Sequence, residues 1–318
     1  MTRATVTTVT GDIRGDQLGP TLAHEHLYCD ISVQSGRADN TLMDVPLLAG
    51  ELRESLAPSG RSVLEMTPEG IGRDPVKLRE ISAASGVHVV SGIAFYDEST
   101  YPAWVRTATP DAIADFIVRE LDEGTDGVCA GFIGELASHN EPGATPGDYR
   151  LHDLEQGVFV AAAQAQRRTG AGISTHASLG RGGHAQLDAL ERAGADLTHV
   201  VIGHCDAEWN ENIDDDLDYY LPILQRGAYC QFDLIGWTEL STDEIRAQRV
   251  AALVELGYAR QMTLSTDTCR LSQLQRHGGR GFDYLWTSFL PRLRQAGVSE
   301  LDIQSMLVDA PRTFVTGG

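Results

Sequence analysis

The chain has 318 residues, of which 42% are hydrophobic and 22% charged, an ordinary balance for a globular protein with a large core. Its 45 acidic and 25 basic side chains give a formal net charge of −20, which argues against a nucleic-acid backbone or an anionic membrane as the main partner. The five cysteines are widely spaced, and no apolar run approaches the ~18 residues of a membrane span. We therefore expect a cytoplasmic protein without disulfides.

Short β-rich segments alternate with longer helical patterns along the chain. A β-hairpin is predicted over residues 5–18, ahead of the first long strand. The predicted strands are 21–26, 62–67, 87–95, 128–136, 171–176, 198–204, 228–234 and 261–267. The predicted helices are 75–84, 110–122, 151–168, 184–193, 213–225, 242–256 and 282–295, with a long insertion at 32–61.

This alternation favours one α/β architecture. Strands separated by helices of this length form parallel βαβ units, and eight such units predict a closed (β/α)8 TIM barrel. A doubly wound open sheet is the competing architecture, but no Gly-x-Gly-x-x-Gly follows a strand. No Ser/Pro-rich linker divides the chain, so we expect residues 1–318 to form a single domain.

The most informative motif is His24-Glu25-His26, at the end of the first barrel strand. Because successive side chains of a strand alternate faces, the two histidines point the same way and Glu25 points away. The spacing differs from His-Glu-x-x-His, in which a helix brings the two imidazoles together. A His-x-His pair alone is weak support for a metal site, since most such pairs are buried histidines or chance.

Four more polar residues end apolar runs in the same way. The C-terminal ends of the strands of a (β/α)8 barrel meet at one mouth, where active sites lie. Each histidine alone could be a hydrogen-bonded barrel residue, but an unpaired carboxylate after an apolar run would be costly. Divalent cations would offset this cost for all of them together. The predicted ligands are His24, His26, Glu135, His176, His204 and Asp267.

Motifs spread over most of the chain resemble the phosphotriesterase-like branch of the amidohydrolase superfamily. They read TLAHEH at 21–26, EGIGRDP at 69–75, GIAFY at 92–96, GFIGE at 131–135, GHCD at 203–206, STDTCR at 265–270, GGRGFDY at 278–284 and PRTF at 311–314. The resemblance implies a metal-dependent hydrolase with two divalent metal ions and a small-molecule substrate. It also implies a homodimer.

The resemblance divides the ligands between the two ions. His24, His26 and Asp267 would hold the more buried ion, and His176 and His204 would hold the other. In many members a carbamylated lysine on the fourth strand bridges the ions, but the single lysine here is Lys77, on a predicted helix. Glu135 stands at the bridging position, and a carboxylate can bridge two cations directly. Zinc is the first expectation for the metal, with manganese, cobalt or iron as alternatives for mixed imidazole and carboxylate ligands.

The expected reaction follows from this arrangement. Two cations about 3.5–4 Å apart would share a hydroxide that attacks a carbonyl carbon, and Asp267 would take its proton and pass it to the leaving group. The leading hypothesis is hydrolysis of a lactone, an ester or an amide. The alternatives are a phosphotriesterase that hydrolyses organophosphates, and a ligand-binding barrel without turnover. A deaminase is disfavoured, since these enzymes usually use one metal.

Three further residues are candidates for substrate contacts. Tyr96 could donate a hydrogen bond to a substrate oxygen, or simply pack at the barrel rim. Arg270 could bind a carboxylate or phosphate group, or form a surface ion pair. Trp237, in the loop after the seventh strand, could wall the pocket or belong to the core.

Overall fold

The computed structural model describes residues 5–59, 61–139, 149–177, 182–207 and 217–316. Its strands are β1 Thr5–Thr8, β2 Gly11–Arg14, β3 Thr21–Glu25, β4 Cys29–Asp30, β5 Thr41–Leu42, β6 Ser62–Glu65, β7 His88–Ile93, β8 Phe132–Ser138, β9 Ile173–Ala177, β10 Val200–Gly203, β11 Tyr229–Phe232 and β12 Met262–Leu264. Its α-helices are α1 Ser32–Ser35, α2 Val45–Ser55, α3 Pro75–Ser85, α4 Pro110–Asp122, α5 Asp153–Thr169, α6 Gly183–Arg192, α7 Tyr220–Gln225, α8 Asp243–Glu255, α9 Leu290–Gln295, α10 Glu300–Gln304 and α11 Ala310–Thr316.

Eight parallel strands form the barrel, in the order β12-β11-β10-β9-β8-β7-β6-β3. Neighbours in space are neighbours in sequence, as right-handed βαβ units require. The first and last strands meet just beyond β12, where the Asp267 amide donates to the His24 carbonyl at 3.2 Å and the His26 amide to the Thr268 carbonyl at 3.2 Å. The predicted (β/α)8 barrel is therefore confirmed, and β1 and β2 form the predicted antiparallel hairpin.

The insertion predicted after the first strand contains the first barrel helix. Helix α2 begins at Val45, where the Asp44 side chain accepts the Leu47 amide hydrogen, and packs against α3. The prediction missed it because Pro46 and Gly50 interrupt its pattern; the proline lies in the first turn, where a missing amide hydrogen costs nothing. The predicted start of the helix at 213–225 lies outside the described residues, and α7 itself begins at Tyr220.

The barrel interior has an apolar lower half and a polar mouth. Six strands contribute apolar side chains to a cluster that α11 and the hairpin close from below, through Phe314 and Val6. The strand residues of this cluster are Ala23, Leu64, Val90, Phe132, Val201 and Tyr229. No helix in the described ranges is both long and apolar enough to cross a membrane. All five cysteines are free thiols.

Candidate metal centre

The six predicted ligands lie together at the C-terminal mouth of the barrel. Glu135 is central: its Oε2 lies 3.3 Å from His24 Nε2 and 3.2 Å from His176 Nδ1, and its Oε1 lies 3.4 Å from His26 Nε2. The Oδ1 atom of Asp267 lies 3.5 Å from His26 Nε2. His204 Nε2 lies 2.7 Å from His176 Nδ1. One carboxylate thus contacts histidines of both predicted ligand sets.

Three groups of described ligand atoms are compact enough to hold a cation: one combines Asp233 with His24 and His204, and the other two consist of predicted ligands alone. Of these two, His24, His26 and Asp267 form one, and Glu135, His176 and His204 form the other, with the ligand atoms of each group within 4.8 Å of one another. His24 Nε2 and Glu135 Oε1 are buried without a hydrogen-bond partner in the described chain. A cation between these atoms would remove the cost of leaving both unsatisfied, so the residues present fit the metal centre that the sequence predicts.

Hydrogen bonds behind His24 and His26 fix their tautomers. Gln231 donates its amide to the Ala23 carbonyl at 2.8 Å, so its Oε1, 2.9 Å from His24 Nδ1, accepts a proton from that nitrogen. Thr67 donates to Glu65 at 2.5 Å, so its hydroxyl accepts from His26 Nδ1 at 2.9 Å. In both imidazoles Nε2 is therefore left with its lone pair facing the centre.

Asp233, at the end of β11, supports a histidine of each ligand group. Its Oδ2 lies 3.1 Å from His24 Nδ1, and its Oδ1 lies 2.8 Å from His204 Nδ1. Burial alone would raise the pKa of Asp233, but the charges and hydrogen bonds of His204 and His24 outweigh it and hold the pKa well below its usual range. One carboxylate therefore orients a ligand in both groups.

This shared support predicts a difference between two variants. In Asp233→Asn the negative charge that His24 and His204 both face is lost, so cation affinity should fall at both ligand groups, by about 10- to 100-fold. Thr67→Val removes the acceptor behind His26 alone and should weaken cation binding only at the group of His24, His26 and Asp267. Metal content after dialysis against graded chelator measures both effects. Weaker cation binding at one ligand group alone in Asp233→Asn would contradict the shared role.

Two candidate ligands lie in turns that need support. His204 has φ 53° and Asp267 φ 44°, in the left-handed region that residues other than glycine rarely adopt. Asp233 accepts the backbone amide hydrogen of His204 at 3.0 Å. Glu25 turns away from the centre, as predicted, and accepts the amide hydrogens on either side of Asp267, from Thr266 at 2.8 Å and Thr268 at 2.6 Å. The residue between the two histidines thus holds the turn that presents Asp267.

A buried ion pair holds the backbone of Asp233. Asp206 accepts from the Asp233 amide at 3.1 Å and from Arg246 Nε at 2.8 Å, and both charged side chains are 1% exposed. Burial raises the pKa of Asp206 and outweighs the Arg246 charge, which lowers it, so that the pKa is about 6. Asp206 and Asp233 follow the ends of β10 and β11, but nothing in the sequence pointed to Arg246, which lies on α8.

Removal of Arg246 should therefore destabilise the protein. Arg246→Met leaves the Asp206 carboxylate buried without its cation, which costs about 3–5 kcal/mol. The double variant Asp206→Asn/Arg246→Met removes both charges and should recover part of that loss. Denaturant unfolding of the three proteins measures it. Equal stability of Arg246→Met and the unmodified chain would show that the pair contributes nothing.

A cavity of about 300 Å³ opens above the centre. Its lining combines the candidate ligands His26, His176, His204 and Asp267 with Ile31, Gln34, Asn40, Tyr96, Ala207, Leu234, Trp237, Leu240, Cys269 and Arg270. The structure therefore brings all three predicted substrate-contact residues to one cavity. Each also interacts within the protein. The Tyr96 hydroxyl lies 3.3 Å from His176 Nε2, Trp237 is only 6% exposed, and Arg270 donates to Glu239 at 3.1 Å.

Comparison with known proteins places this barrel in a family. The sequence model of the Phosphotriesterase family matches residues 4–315. Phosphotriesterase homology protein from Escherichia coli (strain K12) is 37% identical over 301 residues, which cover 94% of this chain and 98% of that relative. A crystal structure of the phosphotriesterase homology protein from Escherichia coli, with phosphate in its active site, superposes with a TM-score of 0.86 at 36% identity, over 94% of this chain and 99% of the other.

Relatives that are less similar in sequence include a protein named as a hydrolase and one named as a lactonase. N-acetyltaurine hydrolase from Salmo salar is 26% identical, over 98% of this chain and 97% of that relative. A mutant of a phosphotriesterase-like lactonase from Deinococcus radiodurans superposes with a TM-score of 0.80 at 28% identity, over 98% of this chain and 99% of the other. The fold, the candidate ligands at the mouth of the barrel and the relatives together define a metal-dependent hydrolase on a (β/α)8 barrel. The chain belongs to the phosphotriesterase family.

Proposed function

We propose that this protein is a binuclear metal hydrolase that cleaves a small carbonyl compound: a lactone, an ester or an amide. The observation that carries the proposal is the position of Glu135. This buried carboxylate reaches histidines of both ligand groups, its Oε1 has no hydrogen-bond partner in the described chain, and the cavity lies directly above the two groups. A single cation would leave part of this ligand set without a role.

His24, His26 and Asp267 would hold one cation and His176 and His204 the other, with Glu135 contacting both. When bound, two divalent cations lower the pKa of a water molecule towards neutrality and polarise a substrate oxygen. Zinc suits four imidazoles and two carboxylates, and manganese, cobalt or iron are the alternatives.

Asp267 is the proposed general base and acid. It is the candidate ligand carboxylate that lines the cavity, with a side chain 10% exposed, whereas Glu135 is fully buried. It can accept the proton of the attacking water and return it to the leaving group. Tyr96 is the proposed donor to a substrate oxygen, because it lines the cavity and its hydroxyl lies 3.3 Å from His176 Nε2, beside the candidate ligands.

The choice of a carbonyl substrate is supported by the names of the relatives. N-acetyltaurine is an amide and a lactone is a cyclic ester, so both names describe acyl transfer to water. A phosphotriester is the second candidate, favoured by the phosphate in the active site of the Escherichia coli structure. A homodimer and a cytoplasmic location stay predictions from the sequence.

The test is hydrolysis of a panel by the metal-loaded protein. The panel contains γ- and δ-lactones, aryl esters, N-acyl amino acids and aryl phosphotriesters, with Asp267→Asn as the inactive control. We expect turnover of one carbonyl class, lost in Asp267→Asn, with phosphotriesters slower. Turnover of phosphotriesters alone would favour the second candidate, and absence of turnover by a fully loaded protein would favour a binding barrel.

A further inference from the structure

One cationic side chain lines the described part of the cavity. Arg270 follows Asp267 by three residues, and both contribute to the lining, where Arg270 is the sole lysine or arginine among the described residues. Ile31, Leu234 and Leu240 contribute apolar surface to the same lining. The protein as a whole carries a net charge of −20, so its overall field does not attract anions. Any preference for an anionic substrate must therefore come from local groups.

The guanidinium of Arg270 is held in place from two sides. Its Cζ lies 4.1 Å from the centre of the Trp237 ring, in cation–π contact. The ring is fixed in turn, since Trp237 Nε1 donates to the Thr266 carbonyl at 2.9 Å. Arg270 Nη1 donates to Glu239 at 3.1 Å. A guanidinium positioned in this way loses little further freedom when it binds a ligand.

The hydrogen-bond donors of the same guanidinium are only partly paired within the described chain. Glu239 engages Nη1, but Nε is buried and has no hydrogen-bond partner among the described residues. The Glu239 side chain is itself 54% exposed, so this ion pair is screened by water and contributes little stability. A second oxyanion entering the cavity would complete the pairing of Arg270, and carboxylate and sulfonate groups match the fork of an arginine.

We propose that Arg270 selects substrates that carry a carboxylate or sulfonate group away from the carbonyl that is attacked. The inference rests on the proposed function and deepens it, since it names the substrate class of the same cavity. The substrate would be a small acyl compound with an anionic tail, whose acyl end lies at the metal centre. Arg270 is then a specificity-determining residue, and its pairing with Glu239 and Trp237 positions it.

The test uses ketones that the metal-loaded protein cannot hydrolyse. In 5-oxohexanoate and 4-oxopentane-1-sulfonate a methylene group replaces the amide nitrogen of N-acetyl-β-alanine and N-acetyltaurine, and 5-oxohexanamide is the neutral control. Calorimetric titration should show both anions binding on the order of 10- to 100-fold more tightly than the amide, which is the range of a hydrogen bond to a charged group. The two anions distinguish a carboxylate from a sulfonate preference.

Arg270→Gln should remove this difference, and Arg270→Lys should restore part of it. Arg292→Gln, which removes an arginine paired with Glu244 outside the cavity lining, is the matched control and should change nothing. Equal binding of charged and neutral ketones would overturn the inference, as would an anion preference that persists in Arg270→Gln or failure of both anions to bind at millimolar concentration. Hydrolysis of neutral esters or lactones, independent of Arg270, would leave the proposed function standing while this inference fails.

Discussion

Glu135→Gln is expected to bind less metal and to lose hydrolytic activity while the barrel stays folded. Gln has nearly the same shape but no negative charge, so it cannot offset the charge of two cations. Even the loss of an outer-shell partner costs about 10- to 100-fold in metal affinity or activity, and Glu135 lies at the centre itself. We therefore expect kcat/KM to fall by more than about 100-fold, with fewer than two metals per chain.

The matched control is Glu120→Gln, another buried glutamate on the same protein. Glu120 pairs with Arg73 and accepts from Thr125, and it belongs to neither ligand group. This variant should keep its metal and its rate. Metal analysis of dialysed protein and the far-ultraviolet circular dichroism spectrum separate loss of metal from loss of fold. Glu135→Gln protein that binds two metals as tightly as the unmodified chain would contradict the bridging role.

Asp267→Asn should keep its metal and lose most of its turnover. The amide oxygen can still act as a ligand, but the side chain can no longer accept a proton, and general acid–base catalysis contributes about 10²- to 10⁴-fold. We expect kcat to fall within this range. Asp302→Asn, which removes a carboxylate from α10, should retain full activity. The comparison is made at equal metal content, and near-normal turnover by the metal-replete variant would exclude Asp267 as the base.

Much of the site could be predicted because its residues end strands. The alternation of β-rich and helical segments places the ends of eight strands at one mouth, so His24, His176, His204 and Asp267 could be grouped without coordinates. The boundaries were less accurate. The fourth barrel strand begins at Phe132 rather than Val128 and runs on to Ser138, because an apolar run does not show where pairing begins.

The supporting residues were harder to find. Gln231 lies among apolar neighbours on β11, and Thr67 lies just after β6. The one sequence signal for their contacts with His24 and His26 was a polar residue in an otherwise apolar barrel strand. Arg246 reaches Asp206 from a helix 40 residues further along the chain, and this contact depends on how α8 packs. Side-chain direction between distant elements does not follow from local pattern, so the sequence indicated the ligands but not what holds them.

The most direct test of the binuclear centre is the metal content of the purified protein, reconstituted with zinc and then with manganese and cobalt. We expect close to two cations per chain in the unmodified protein and fewer than two in Glu135→Gln. Binding of both cations should be weakened together in Asp233→Asn. One cation or none after reconstitution, with the chain folded, would show that Glu135 bridges nothing and would contradict the binuclear centre.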